Sequence, residues 1–262
     1  MTEILLAVAI LLGTALLAAI ILAVASHYMG IKTDETVKNL REQLPGANCG
    51  ACGYTGCDAY AEALAGKNVK TNLCVPGGSD VATRLAELLG TEAASVNVPV
   101  AYVKCNGTDE AAVKVADFDG VGSCKAMCLV CGGPNACKYG CLGCGDCRDA
   151  CPVQAICIRG GVARIIPDKC IGCGICVKTC PKHIIELIPR EAVAAIACSS
   201  HDAGAVTRKN CKNGCIACKK CEKTCPVGAI TVKDNLAVID YGICISCGAC
   251  TEVCPVKCIE RL

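Results

Sequence analysis

The chain has 262 residues and a formal charge of +2, and its basic residues form no long run, so nothing in the charge pattern points to a nucleic-acid partner. It holds 29 cysteines against no Trp, one Phe and six Tyr. Too little aromatic material is present for an ordinary core, and the thiols must serve a disulfide scaffold, structural zinc or iron–sulfur clusters, with spacing and compartment deciding among them.

From Ile4 to Ala25 the sequence runs 22 residues without a charge, rich in Leu, Ile, Val and Ala. At about 1.5 Å per helical residue this spans a bilayer core of roughly 30 Å, which predicts one transmembrane helix. The first charge is Glu3 and no basic start precedes the apolar run, so a cleaved signal peptide fits less well. Lys32, Lys38 and Arg41 follow the segment closely. The positive-inside bias then places the bulk of the chain in the cytoplasm, on a single-pass anchor in the cell membrane, where thiols stay reduced and disulfides are disfavoured.

Beyond the anchor, Thr33 is a candidate cap for a short amphipathic helix with Val37, Leu40 and Leu44 on one face, ended by Pro45 and Gly46. A cysteine-rich loop leads into a helix over Asp58–Ala65, and Ser79 is a candidate cap for another over Asp80–Leu89 with Gly90 at its end. This module carries Cys49, Cys52, Cys57 and Cys74, spaced C-x2-C-x4-C-x16-C. That spacing alone suits zinc or [4Fe–4S] equally. Two β-branched runs, Val98–Val103 and Ala111–Val115, then read as strands around a turn at Asn106–Gly107.

An internal repeat organises the remainder. Cys141, Cys144, Cys147, Cys151, Cys170, Cys173, Cys176 and Cys180 recur 74 positions later as Cys215, Cys218, Cys221, Cys225, Cys244, Cys247, Cys250 and Cys254. Each repeat holds two copies of C-x2-C-x2-C-x3-C-P, the run in which three thiolates take three corners of one cubane and the fourth crosses to the other. The predicted ligand sets are Cys141, Cys144, Cys147 with Cys180; Cys170, Cys173, Cys176 with Cys151; Cys215, Cys218, Cys221 with Cys254; and Cys244, Cys247, Cys250 with Cys225. Zinc would leave the third cysteine and the proline of each run unexplained. Beside four such runs, the Cys49 module is also read as a [4Fe–4S] site, giving at least five clusters.

The uncharged amino-terminal helix, the ANCGACGYTGC module, the CNG and GGPNACKYGC segments and the ferredoxin runs together resemble the B subunit of Rnf-type ion-translocating ferredoxin:NAD oxidoreductase complexes. The resemblance spans essentially the whole chain, except that a minimal member carries one ferredoxin-like pair where this chain carries two. It implies an electron-transfer subunit of a translocase, working among other membrane subunits with soluble ferredoxin as donor and no complete catalytic site of its own. No G-x-G-x-x-G opens a βαβ unit, which agrees with nucleotide sites on other subunits. The alternatives are a polyferredoxin feeding a hydrogenase or carbon monoxide/acetyl-CoA metalloenzyme, and a zinc scaffold.

The expected fold is α+β: a transmembrane anchor over 1–28, a small helical four-cysteine module over 29–90, a middle segment over 91–136 and two ferredoxin-like domains over 137–190 and 191–262. Among the other thiols, Cys157 and Cys258 read as inert packed groups. Cys124 and Cys198 share the 74-residue offset, as do Cys137 and Cys211. Cys124, Cys128 and Cys131, spaced C-x3-C-x2-C, leave room for a sixth cluster with Cys105 or Cys137, but buried thiols are the preferred reading there. His27, His183 and His201 pair with no spaced carboxylates, and no hydrolytic constellation is present.

Overall fold

The computed structural model describes residues 12–22, 24, 35–66, 69–130 and 132–262. Residues 12–22 are helical, with Leu12, Leu16, Leu17, Ile20 and Ile21 exposed. Among the described residues no helix is long and apolar enough to cross a membrane. The rest of the span expected over Ile4–Ala25, like the expected cap at Thr33, lies outside the described residues.

The first module is three helices, α1 (Glu35–Gln43), α2 (Cys57–Ala65) and α3 (Gly78–Leu89). Their apolar faces meet in a core of Leu40, Tyr60, Leu64 and Leu85, all fully buried, with Cys57 and Cys74 at its edge. The one polar atom this core takes in is satisfied, since the Tyr60 hydroxyl donates to the Lys70 carbonyl at 2.7 Å. Gly90 ends α3 in the left-handed conformation, φ +64°, where a side chain would be strained. Ser79 does not cap α3. It is the second helical residue, and Gly77 occupies the cap position without a side-chain bond.

Each ferredoxin repeat is built from two two-stranded antiparallel sheets and two very short helices. In the first, the hairpin β2 (Ile156–Arg159) and β3 (Val162–Ile165) is joined by Gly160–Gly161, both at positive φ, the two-residue turn that suits the strand twist. In the second, β6 (Ile230–Lys233) and β7 (Leu236–Ile239) are joined by Asp234–Asn235, again both at positive φ. The other sheets are long-range. β1 (Val100–Val103) pairs with β4 (Ile185–Ile188), and β5 (Ala194–Ile196) with β8 (Ile259–Arg261). The two runs expected to flank a turn at Asn106–Gly107 therefore do not pair with each other. Val100–Val103 closes the first ferredoxin core, where Ala101 and Val103 pack on Ile156, Val162 and Ile185. Residues 111–115 make only isolated bridges, Ala112 to Cys211 and Lys114 to Asn135.

The four ferredoxin runs share one backbone conformation. In each, the residues flanking the second cysteine have positive φ: Gly143 and Gly145, Gly172 and Gly174, Ala217 and Lys219, Ser246 and Gly248. The second residue after each run's proline repeats this, at Gln154, His183, Gly228 and Lys257. Left-handed residues alternating with right-handed ones curl the chain into a concavity lined with N–H groups, which suits an anionic sulfur-rich guest. The third cysteine of each run then lies in a short helix: α5 (Asp146–Asp149), α6 (Ile175–Thr179), α8 (Lys220–Thr224) and α9 (Ala249–Glu252). Two further short helices, α4 (Cys124–Leu129) and α7 (Gly204–Asn210), precede the first and third runs.

Equivalent positions in the two repeats are not equally crowded. A Cβ on Gly143 would stand 2.5 Å from the Gly161 carbonyl oxygen, whereas the matching residue in the second repeat is already Ala217. Gly143→Ala is expected to destabilise the first repeat by about 1–3 kcal/mol through strain and clash, while Ala217→Gly should cost at most about 1 kcal/mol. Anaerobic thermal loss of visible cluster absorbance should move to lower temperature for the first substitution alone. Equal shifts would show that the approach to Gly161 is immaterial.

Candidate metal centres

In the first module, Cys49 and Cys52 sit on the loop before α2, Cys57 opens that helix, and Cys74 lies between two single turns of 3-10 helix. The loop is pinned by the Cys57 N–H, which donates to Asn48 Oδ1 at 2.8 Å. Burial pushes the Cys74 thiol up, and the neighbouring thiols of Cys57, Cys52 and Cys49 add to the shift, so all four share one neighbourhood. This module abuts the first ferredoxin repeat: Lys178 Nζ donates to the Cys49 carbonyl at 3.3 Å, and Cys49 is an electrostatic neighbour of Cys173.

Two cavities open in the first repeat. One is lined by Cys151, Cys170, Cys173 and Cys176 together with Pro152, Ala155 and Ile165. Backbone N–H groups reach its sulfurs, Ala155 to Cys151 at 3.3 Å and Ala101 to Cys170 at 3.5 Å. The other is lined by Cys141, Cys147 and Cys180, with Cys124 as its fourth thiol. Cys144 is not in that lining. Its sulfur lies 3.7 Å from the Leu142 carbonyl oxygen and 3.9 Å from Met127 Sδ, beside Cys124.

Asp146 delivers Cys124 to this place. Its carboxylate accepts from the N–H of Cys124 at 2.7 Å, the N–H of Lys125 at 3.1 Å and the Ser123 hydroxyl at 2.9 Å, fixing the start of α4 against the ferredoxin loop. Although burial acts the other way, those donors hold the carboxyl below its usual range. Spacing alone groups Cys124 with Cys128 and Cys131. In the structure Cys124 is turned into the Cys141 cavity, Cys128 is half-buried, and Cys131 lies outside the described residues.

In the second repeat, Cys221 lies among Cys215, Cys218 and Cys254, and Cys250 among Cys244, Cys247 and Cys225. Burial first, and then these neighbouring thiols, push Cys221 up to about 11. Cys218 and Cys247 are exposed, unlike their partners. Cys258 is more than a packed thiol. It is 2% exposed, and its sulfur lies 3.6 Å from Cys254 Sγ, where a shared hydrogen bond holds the Cys254 thiol below the usual thiol range. No spacing pattern announces that contact, because Cys258 occupies the position of Ile184 in the first repeat.

Among the described residues, no three His, Cys, Asp or Glu side chains converge as they would on a single metal ion. Thiols in fours instead line the two cavities of the first repeat, and backbone N–H groups reach Cys151 and its counterpart Cys225. Soft thiolate donors in fours are also the ligand set that iron–sulfur clusters take. The residues present therefore fit the group. Since ligands bind as thiolates and burial raises most of these thiols, loading must release protons.

Comparison with known proteins agrees with this geometry. A family model of an Fe–S cluster domain matches residues 44–76, and 4Fe-4S dicluster domain models match residues 140–184, 214–258 and 169–229. The chain is 43% identical, over 87% of its length and 81% of the relative's, to the B subunit of the proton-translocating ferredoxin:NAD(+) oxidoreductase complex of Clostridium ljungdahlii. It is 37% identical, over 89% of both chains, to the B subunit of the ion-translocating oxidoreductase complex of Methanosarcina acetivorans. Against the B subunit of the Na(+)-translocating ferredoxin:NAD(+) oxidoreductase complex of Acetobacterium woodii, identity is 41% over 84% of this chain, which spans only 66% of that relative. The chain thus carries several [4Fe–4S] clusters and belongs to the family of B subunits of ion-translocating oxidoreductase complexes.

Proposed function

We propose that this chain is the membrane-anchored electron-transfer subunit of an ion-translocating ferredoxin:NAD oxidoreductase complex, accepting electrons from reduced ferredoxin and passing them to partner subunits. The observation that carries the reading is that the thiols fall into five four-membered neighbourhoods, two of them lining cavities. [4Fe–4S] clusters held there supply one-electron redox chemistry. The polypeptide's part is to hold thiolates, direct N–H groups at sulfur and exclude water. The ligand sets are Cys49, Cys52, Cys57, Cys74; Cys151, Cys170, Cys173, Cys176; Cys215, Cys218, Cys221, Cys254; and Cys225, Cys244, Cys247, Cys250. The fifth takes Cys141, Cys147 and Cys180, with its last corner open to Cys144 or Cys124.

The anchor belongs to the same reading. Exposed Leu12, Leu16, Leu17, Ile20 and Ile21 lie on the helical residues 12–22, inside an uncharged run long enough to cross a bilayer, and basic residues follow it. The relatives named above favour this function over a polyferredoxin feeding a hydrogenase or carbon monoxide/acetyl-CoA enzyme. Anaerobic purification from membranes tests both parts. The full chain should come out with multispanning membrane subunits and a flavin-bearing soluble subunit, carrying at least about 20 irons after reconstitution. Clearly fewer irons, stoichiometric zinc, or a soluble metalloenzyme as sole companion would contradict it.

The fifth set generates its own expectation. Because Cys124 lines the cavity and Cys144 does not, Cys144→Ser should keep all the iron, while Cys124→Ser with Cys144→Ser should lose about four irons per chain. Loss of that iron from Cys144→Ser alone would assign the corner to Cys144.

A further inference from the structure

Four thiols outside the five sets meet in one place. Cys105, Cys137, Cys198 and Cys211 line a single cavity between the two ferredoxin repeats, in company with Gly107, Gly140, Thr207 and Gly214. Thiols in fours likewise line the two cavities beside the ferredoxin runs of the first repeat. The sulfurs of Cys105 and Cys211 come from different repeats, yet both lie close to Gly107, 3.5 and 3.6 Å from where its Cβ would stand.

The cavity has an internal two-fold correspondence. Cys105 accepts the N–H of Gly107 at 3.4 Å and of Cys141 at 3.3 Å, and Cys198 accepts that of Ser200 at 3.5 Å and of Cys215 at 3.3 Å. Both cysteines lie two residues beyond matching strands, β1 and β5. Cys198 therefore corresponds to Cys105 and not to Cys124, despite the shared 74-residue offset of the latter pair. The first repeat carries 19 more residues between Cys105 and Cys137 than the second does between Cys198 and Cys211, and Cys124 belongs to that surplus. At Cys137 and Cys211, matched at the 74-residue offset, the Gly140 and Gly214 N–H groups donate to the cysteine carbonyls at 3.2 and 3.3 Å.

Two backbone N–H groups thus face each of the Cys105 and Cys198 sulfurs, in a cavity lined by four thiols. A thiol packed as a small apolar group needs no such donors. A cluster-bound thiolate does, because hydrogen bonds to sulfur stabilise its charge and tune the potential. The surroundings also join ligand loops on both sides. The N–H bonded to Cys105 is that of Cys141, and the N–H bonded to Cys198 is that of Cys215, each the first cysteine of a ferredoxin run.

We infer that Cys105, Cys137, Cys198 and Cys211 bind a further [4Fe–4S] cluster, which links the Cys141 centre of the first repeat to the Cys215 centre of the second. The site belongs to neither repeat alone. It draws two ligands from each, so the duplicated modules are fused electrically as well as mechanically. The inference rests on the cluster reading above, and iron counting separates the two. The full reconstituted chain should hold about 24 irons, and Cys137→Ser with Cys211→Ser about 20, with the other clusters unchanged by EPR and Mössbauer spectroscopy. About 20 irons in both proteins would overturn the inference and leave the five-cluster reading intact. Zinc at this position would overturn it too. A wild-type count well below 20 would instead strike the underlying reading. If the double variant fails to fold, the wild-type count decides, about 24 supporting the site and about 20 refuting it.

Discussion

A cubane presents four corners to its ligands, and one tight loop of polypeptide reaches three of them. The rest of this structure follows from that limit. A run that offers three thiolates needs its fourth from elsewhere, and in each repeat a hairpin, β2–β3 or β6–β7, joins the two runs that lie on either side of it. The conformation is costly, with non-glycine residues such as Ala217, Lys219 and Ser246 held at positive φ. It persists because the N–H groups it turns inward have an anionic guest to meet. Aliphatic side chains do the remainder: Ala101, Val103, Val162 and Ile185 in one repeat, Ile196, Ile230, Leu236 and Ile259 in the other, with cysteines completing both cores.

The two repeats are joined by polar contacts as well as the shared cavity. Arg164 spans to Glu260 at 3.2 Å and also donates to Asn106, and Tyr102 donates to the same carboxylate at 2.9 Å. Burial, and then the Glu260 charge, push the Tyr102 phenol up, so it remains a donor. Ser199 donates to the Lys104 carbonyl and Asn213 to that of Asn106, both at 2.9 Å. These bonds tie the segments that follow β1 and the first hairpin to the second repeat. Neighbouring sulfurs and loops then give a spatial order: the Cys49 module beside Cys173, the first repeat, the shared cavity, the second repeat.

Local spacing carried much of this. The four C-x2-C-x2-C-x3-C-P runs and the three helices of the first module were legible because their signals lie within a few residues. What was hidden is long-range. Val100–Val103 reads as half of a local hairpin, but its partner is Ile185–Ile188, and no short pattern announces a pairing over that distance. The Cys105, Cys137, Cys198 and Cys211 cavity is hidden for the same reason, since it forms only once both repeats are folded and docked. The shared offset of Cys124 and Cys198 misled because the surplus residues place a cysteine at the matching position by coincidence. Strand register and N–H donors, which sequence does not display, assign Cys105 instead.

The central claim, that the thiols act in fours around cubanes, is tested most directly by locating the iron. Crystals of the anaerobically reconstituted full chain, with data collected on both sides of the iron absorption edge, should show compact multi-iron anomalous density in every four-thiol neighbourhood, including the one between the repeats. Single-atom peaks responding at the zinc edge, or no iron in the cavities lined by Cys151, Cys170, Cys173 and Cys176 and by Cys141, Cys147 and Cys180, would contradict it.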